Sequence, residues 1–62
     1  MYVIKCVANT YSQYVGCYVA KAVSGGSYTR KISMARKYSS IDEAEGHKCE
    51  NEIVVSLESE VN

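Results

Sequence analysis

Leucine occurs once in this chain, at Leu57, and phenylalanine, tryptophan and proline do not occur at all. Valine, isoleucine, tyrosine and threonine supply 20 of the 62 residues. Side chains of this kind fit a pleated, half-buried surface better than a helix. A coiled coil, a helical bundle, a collagen-like repeat and a disordered acidic tail are therefore excluded. The expected class is α+β, with strands dominating.

Length sets the second bound. The chain is expected to form one domain over 1–62, and a domain of this size buries only ~60% of the surface that its unfolded chain exposes. The apolar share is 47%, but it includes six tyrosines, three cysteines and five alanines. A tyrosine must keep its hydroxyl satisfied, so it favours half-buried positions and interfaces. The core is expected to be thin and the chain to associate, a homodimer being the simplest form.

Residues 2–8 alternate as a first strand, with Tyr2, Ile4, Cys6 and Ala8 on one face and Val3, Lys5 and Val7 on the other. Asn9–Ser12 is a polar break. Residues 14–23 read as a second strand with apolar side chains on both faces, and Gly16 marks a bulge or a close backbone approach. Ser24-Gly25-Gly26-Ser27 has the glycines of a tight hairpin. It leads to a third strand over 28–34.

Ser40-Ile41-Asp42-Glu43 matches a capping box and predicts a helix over 41–50, weakened by Gly46. Ile53, Val55 and Leu57 are the inward side of a last strand over 53–58, after which the chain is expected to fray. The predicted order is β-β-β-α-β, a small antiparallel sheet of about four strands with one short helix on one face. One such helix is too small to cover a sheet, so the opposite face, with Val3, Val7, Tyr14 and Tyr18 or their alternates, is expected to remain bare. A bare apolar face marks a contact surface.

The formal charge is zero, yet it is divided along the chain. Residues 1–40 carry Lys5, Lys21, Arg30, Lys31, Arg36 and Lys37 and no acid. Residues 41–62 carry Asp42, Glu43, Glu45, Glu50, Glu52, Glu58 and Glu60 against Lys48 alone. Three uses of this division are open. The acidic and basic parts cancel on one surface. Alternatively, the four cations at 30–37, interleaved with Tyr28 and Tyr38, form a nucleic-acid platform of stacking rings and phosphate-binding charges. In the third, the acidic helix, with Asp42, Glu43 and Glu45, and the last strand offer a row of carboxylates to a basic groove on a partner and select it by charge.

The sequence lacks a phosphate-binding loop and a nucleophile elbow. His47 lies among carboxylates, and a chain this small rarely encloses a substrate cleft, so no enzyme, cofactor or metal is expected. Cys6, Cys17, His47 and Cys49 have the ligand types of a zinc site, but not the close pairs that such sites use. Small buried strand residues are the plainer account of Cys6 and Cys17. A Cys49–His47 catalytic pair has no supporting motif. An odd number of cysteines and the absence of a signal-like start suggest a cytoplasmic setting. No apolar run approaches the ~18 residues of a membrane helix.

Tyr2-Val3-Ile4-Lys5 and Ala35-Arg36-Lys37-Tyr38-Ser39-Ser40-Ile41-Asp42-Glu43-Ala44 resemble segments of small phage-encoded proteins. Anti-CRISPR and other anti-defence proteins of phages are similar in size and in sheet-plus-helix plan. The resemblance implies a non-catalytic inhibitor of a host nuclease or defence complex. It carries over no functional residue, because such proteins share no fixed site.

The expected function is thus binding to a larger protein or protein–nucleic-acid complex, with direct nucleic-acid binding as the alternative. The candidate contact residues are Tyr14, Tyr18, Arg30, Lys31, Arg36 and Lys37, with Asp42, Glu43 and Glu45 on the opposite edge.

Overall fold

The computed structural model describes residues 1–20 and 28–61. A four-stranded antiparallel sheet has the order β3-β2-β1-β4, with β1 Tyr2–Cys6, β2 Tyr18–Val19, β3 Tyr28–Thr29 and β4 Glu52–Ser56. Helix α1 is Ile41–Glu45 and helix α2 is Leu57–Glu60. The α+β class and the antiparallel sheet are as the sequence predicts. The Ser24–Ser27 turn and Lys21 lie outside the described residues.

Side chain–backbone hydrogen bonds explain why the strands are shorter than predicted. Asn9 Oδ1 accepts from the Tyr11 amide at 2.9 Å, and Thr29 Oγ1 accepts from the Lys31 amide at 3.1 Å. The Asn9 bond forms the break expected at 9–12, and the Thr29 bond turns the backbone out of the ladder at the end of β3. The predicted third strand, 28–34, therefore ends at Thr29, and Ile32–Met34 forms a 3-10 turn.

The predicted second strand, 14–23, begins late for a related reason. Ser12–Tyr14 is also a 3-10 turn, and the Cys17 amide then donates to the Tyr14 carbonyl at 3.0 Å. Val15 has φ −66° and ψ 128°, and Gly16 has φ +89°. These are the angles of a type II turn, whose third position requires φ above zero. Gly16 and Cys17 both bond Cys6, the Gly16 amide donating to its carbonyl at 2.8 Å and the Cys17 carbonyl accepting from its amide at 2.8 Å. Two residues thus oppose one in a bulge with glycine in its left-handed position.

Helix α1 keeps the cap that the sequence announces and loses its length. The Glu43 amide donates to Ser40 Oγ at 3.1 Å. The Glu43 carboxylate reaches one residue further back than a capping box specifies, accepting from the Ser39 amide at 3.1 Å and the Ser39 hydroxyl at 3.3 Å. Ala44 is the helix's single buried residue, and the chain leaves the helix at Gly46 instead of continuing to 50. One apolar anchor supports little more than one turn, because short helices depend on packing.

The bare sheet face is corrected by the structure. Val3 and Ile4, adjacent on β1, point to opposite faces and both have no exposed surface. On one face Val3, Tyr18 and Ala35 pack with Ile32, Val55 and Leu57. On the other, Ile4, Tyr38 and Ala44 pack with Tyr2, Val19 and Val54.

The chain between β3 and α1 makes this double cover. Residues 35–38 run extended beside the ends of β1 and β2, bridging Ala35 to Ala20 and Tyr38 to Tyr2. Ala35 then serves one face and Tyr38 the other. The expected last strand, 53–58, is likewise divided. Val55 and Leu57 face the first cluster, Val54 the second, and Ile53 stays exposed. Residues 57–60 form α2 in place of the strand end expected at 57–58 and the fraying expected from 59, with Leu57 seated on the sheet.

Candidate functional site

Part of the charge division is used inside the fold. Lys5 and Tyr18 are opposite one another on β1 and β2. Both reach Glu60 of α2: the Tyr18 hydroxyl donates to Glu60 Oε1 at 2.7 Å and Lys5 Nζ donates to the same oxygen at 3.1 Å. Lys5 also lies 5.9 Å from the centre of the Tyr18 ring. The bond to Glu60, then burial, then the carboxylate's charge push the Tyr18 phenol up to about 12. The bonds from Tyr18 and then Lys5 hold Glu60 below its ordinary value.

A second tyrosine–glutamate pair sits on the other face. The Tyr28 hydroxyl donates to Glu52 Oε2, and the Cys49 amide donates to Glu52 Oε1 at 2.8 Å. Glu52 is the buried charged residue of the described core. Burial, followed by the bond to Glu52, raises the Tyr28 phenol, against a smaller opposing effect of Asn51.

An aromatic row continues outward from Tyr28. Its ring lies 5.5 Å from that of Tyr14, and Tyr14 meets Tyr11 edge-on at 6.1 Å. Tyr11 is 64% exposed. The 3-10 turn at Ser12–Tyr14 spaces Tyr11 and Tyr14 three residues apart, so one turn brings the rings together. Arg30, just past β3, donates from Nη2 to the Gln13 carbonyl in the same turn at 2.8 Å. The result is an exposed ring, two supporting rings and a positioned guanidinium on one side of the molecule.

No protein-family model, curated protein or solved structure matches the chain.

The structure brings Tyr14 and Arg30 together and distributes the other candidate residues. Tyr18 is removed from the contact set, because it is buried and its hydroxyl is held by Glu60. Lys31 is exposed beside Arg30. Arg36 lies over the Tyr38 ring at 5.4 Å, and Lys37 Nζ is held by the carbonyls of Ala35 at 3.2 Å and Ile32 at 3.4 Å.

Asp42, Glu43 and Glu45 are exposed on α1. Among the described residues the ion pairs are Lys5–Glu60 at 3.1 Å and the Met1 ammonium–Glu58 at 3.6 Å. The α1 carboxylates and the 30–37 cations therefore do not neutralise one another by contact.

Tyr38 and Tyr28 do not present free faces for stacking bases. Tyr38 is 3% exposed, and Tyr28 is half-buried against Tyr14. Of the two rings expected to stack bases, Tyr38 is thus in the core and Tyr28 is packed against Tyr14. Sequence reasoning missed Tyr11, which lay in a segment read as a polar break; its spacing from Tyr14 was the available signal.

Among the described residues, no three His, Cys, Asp or Glu side chains gather as metal ligands. Cys6 and Cys17 are buried, Cys49 is exposed, and His47 stacks on Tyr38 at 5.5 Å. An open depression of about 500 Å³ is lined by Ala8, Asn9, Thr10 and Asn51. Its lining lacks the aromatic and large apolar walls by which small-ligand sites exclude water. No helix among the described residues is long and apolar enough to cross a membrane.

Proposed function

We propose that this chain is a small non-catalytic binding protein that contacts a larger protein through Tyr11, Tyr14, Arg30 and Lys31. The observation that carries the proposal is the 64% exposure of Tyr11 at the end of a supported aromatic row. Arg30 is fixed to the turn beneath it. Tyrosine and arginine dominate binding energy at interfaces, and rings already held in place lose little freedom on contact. An inhibitor of a host nuclease or defence complex, as the phage-protein resemblance implies, fits this mode because blocking needs no chemistry. Asp42, Glu43 and Glu45 provide a separate acidic edge for partner selection.

The test is affinity capture from the source cell with the intact chain as bait, beside a Tyr11→Ala/Arg30→Ala bait of matched stability. Capture that disappears with the double variant supports the surface. Equal capture by both baits assigns the contact elsewhere.

Among the described residues, direct nucleic-acid binding draws on the exposed charges of Arg30, Lys31 and Arg36. It therefore predicts a steep loss of affinity for short DNA or RNA as salt rises. Absence of binding at low salt eliminates it.

A further inference from the structure

We infer that the outer edge of β4 is a self-complementary pairing surface for a second copy of this chain, with the two-fold axis at Val54. The inference goes beyond the partner-binding surface and uses none of its residues. It also replaces the bare sheet face as the basis for a homodimer.

Sheet order leaves β4 on an edge, with β1 as its neighbour. The phase of the ladder fixes which backbone groups point outward. The Leu57 amide donates to Met1 at 2.9 Å, and the Val7 amide donates to Asn51 at 3.0 Å. Tyr2 instead exchanges bonds of 2.9 and 2.8 Å with Tyr38, away from β4. Hydrogen-bonded pairs alternate along an antiparallel ladder. Val3–Val55 and Lys5–Ile53 are therefore the bonded pairs. The backbones of Glu52, Val54 and Ser56 face away from β1.

Two of these outward groups are already used. The Glu52 amide donates to the Cys49 carbonyl at 3.1 Å, and the Ser56 carbonyl belongs to the start of α2 as its N-cap. Left over among the described residues are two donors, the amides of Val54 and Ser56, and two acceptors, the carbonyls of Glu52 and Val54. A two-fold axis at Val54 matches them completely. Val54 exchanges both bonds with the partner's Val54, and each Ser56 amide meets the partner's Glu52 carbonyl.

The side chains agree with the same register. Ile53, 43% exposed, comes opposite the partner's Val55, a β-branched pair that stabilises a sheet. Within β4 itself charge does not oppose the approach. Glu52 is buried, its carboxylate held by Tyr28 and the Cys49 amide, so the symmetry-related carboxylates do not confront each other across the edge. Of the devices that keep an edge unpaired, Glu52–Ser56 contains no lysine, proline or bulge, and its one inward-pointing charge, Glu52, is satisfied within the chain by Tyr28 and the Cys49 amide.

Sedimentation equilibrium of the intact chain from about 10 µM to about 1 mM, with amide exchange by NMR, tests the inference. The expected result is association from 6.9 kDa to twice that mass, with Val54 and Ser56 amides protected in step with concentration. Ser56→Pro removes one edge donor at a φ of −71°, which proline adopts, and leaves the β1 ladder intact. Ile53→Lys adds an edge charge at an exposed position. Each variant is expected to raise the dissociation constant about tenfold or more while the β1 amides stay protected. Monomeric wild-type protein throughout, or dimers equally strong in the folded variants, overturns the inference. Either result leaves the Tyr11–Arg30 surface to its own test.

Discussion

The hydroxyl of Tyr18 on β2 and the carboxylate of Glu60 on α2, 42 residues apart, meet in a hydrogen bond of 2.7 Å. This bond fastens the last turn of the chain over the middle of the sheet, with Lys5 on the same oxygen. A hydrogen bond to a charged group contributes more than a neutral one. Tyr18→Phe is therefore expected to lower unfolding stability by about 1–2 kcal/mol. Glu60→Gln weakens the bonds from both Tyr18 and Lys5, so it should cost at least as much, and the two losses should add only in part because they share the Tyr18–Glu60 contact. Denaturant titration of the two single variants and the double variant measures this. Additive losses would show that the residues act separately.

The same pair sets two pH windows. Glu60 ionises more readily in the folded chain than its ordinary value of 4.5. Its contribution is present above that value and is lost as pH falls through the lower folded value. The Tyr18 phenol is raised from 10.0 to about 12, so its contribution is complete below 10 and is lost as pH climbs toward 12. Thermal melts across both ranges should show declining stability at each end. Tyr18→Phe should flatten the alkaline decline, and an unchanged alkaline slope in that variant counts against the assignment. Tyr28, raised by burial and Glu52, supplies a further alkaline dependence.

Two glycines predict opposite outcomes for the same substitution. A Cβ at Gly16 meets nothing within 4 Å, but the φ of +89° is a left-handed conformation. Gly16→Ala should destabilise by about 1–2 kcal/mol without any clash. Gly46 follows α1 at φ −69°, and its added Cβ makes ordinary contacts of 3.5 and 3.7 Å with the Glu43 and Asp42 carbonyls. Gly46→Ala should stabilise by about 0.5–1 kcal/mol. Melting temperatures of the pair decide the matter, and shifts of the same sign contradict it.

Ser40→Ala removes the acceptor for the Glu43 amide and should cost about 1 kcal/mol, whereas Ser40→Asp should restore most of the loss. Amide exchange at Glu43 reads the effect locally. No change at that amide in Ser40→Ala would mean that the cap is idle.

Much of this architecture was legible because it is local. Alternation marked β1 and β4, Gly16 announced a bulge, and Ser40 with Glu43 announced the start of α1. The break at Asn9 was readable as a polar segment, whereas the one at Thr29 was hidden because one side chain–backbone bond overrode strand-favouring composition. The predicted length of α1 ignored that Ala44 is its lone buried anchor.

Helix α2 was illegible, since Leu57 packing and the Tyr18–Glu60 bond hold it and both depend on distant residues. The bare sheet face failed for a similar reason. Spending 28–34 on one strand left no chain to cover it, whereas the turn at Ile32–Met34 frees Ala35 and Tyr38 to serve both sides. Of the residues that the structure gathers at the candidate site, Tyr14 and Arg30 were already singled out by the sequence. The part played by Tyr11 emerged only from the 3-10 turn beneath it.

Site-specific photo-crosslinking in the source cell locates the contact surface. A benzophenone-bearing phenylalanine is placed at position 11 and, in a second protein, at position 41, which is also exposed and lies on α1. Position 11 is expected to give one dominant protein adduct, lost when Arg30→Ala is added to the same chain, and position 41 is expected to give little of it. A dominant adduct from position 41 with none from position 11 would contradict the assignment of the contact surface to Tyr11 and Arg30.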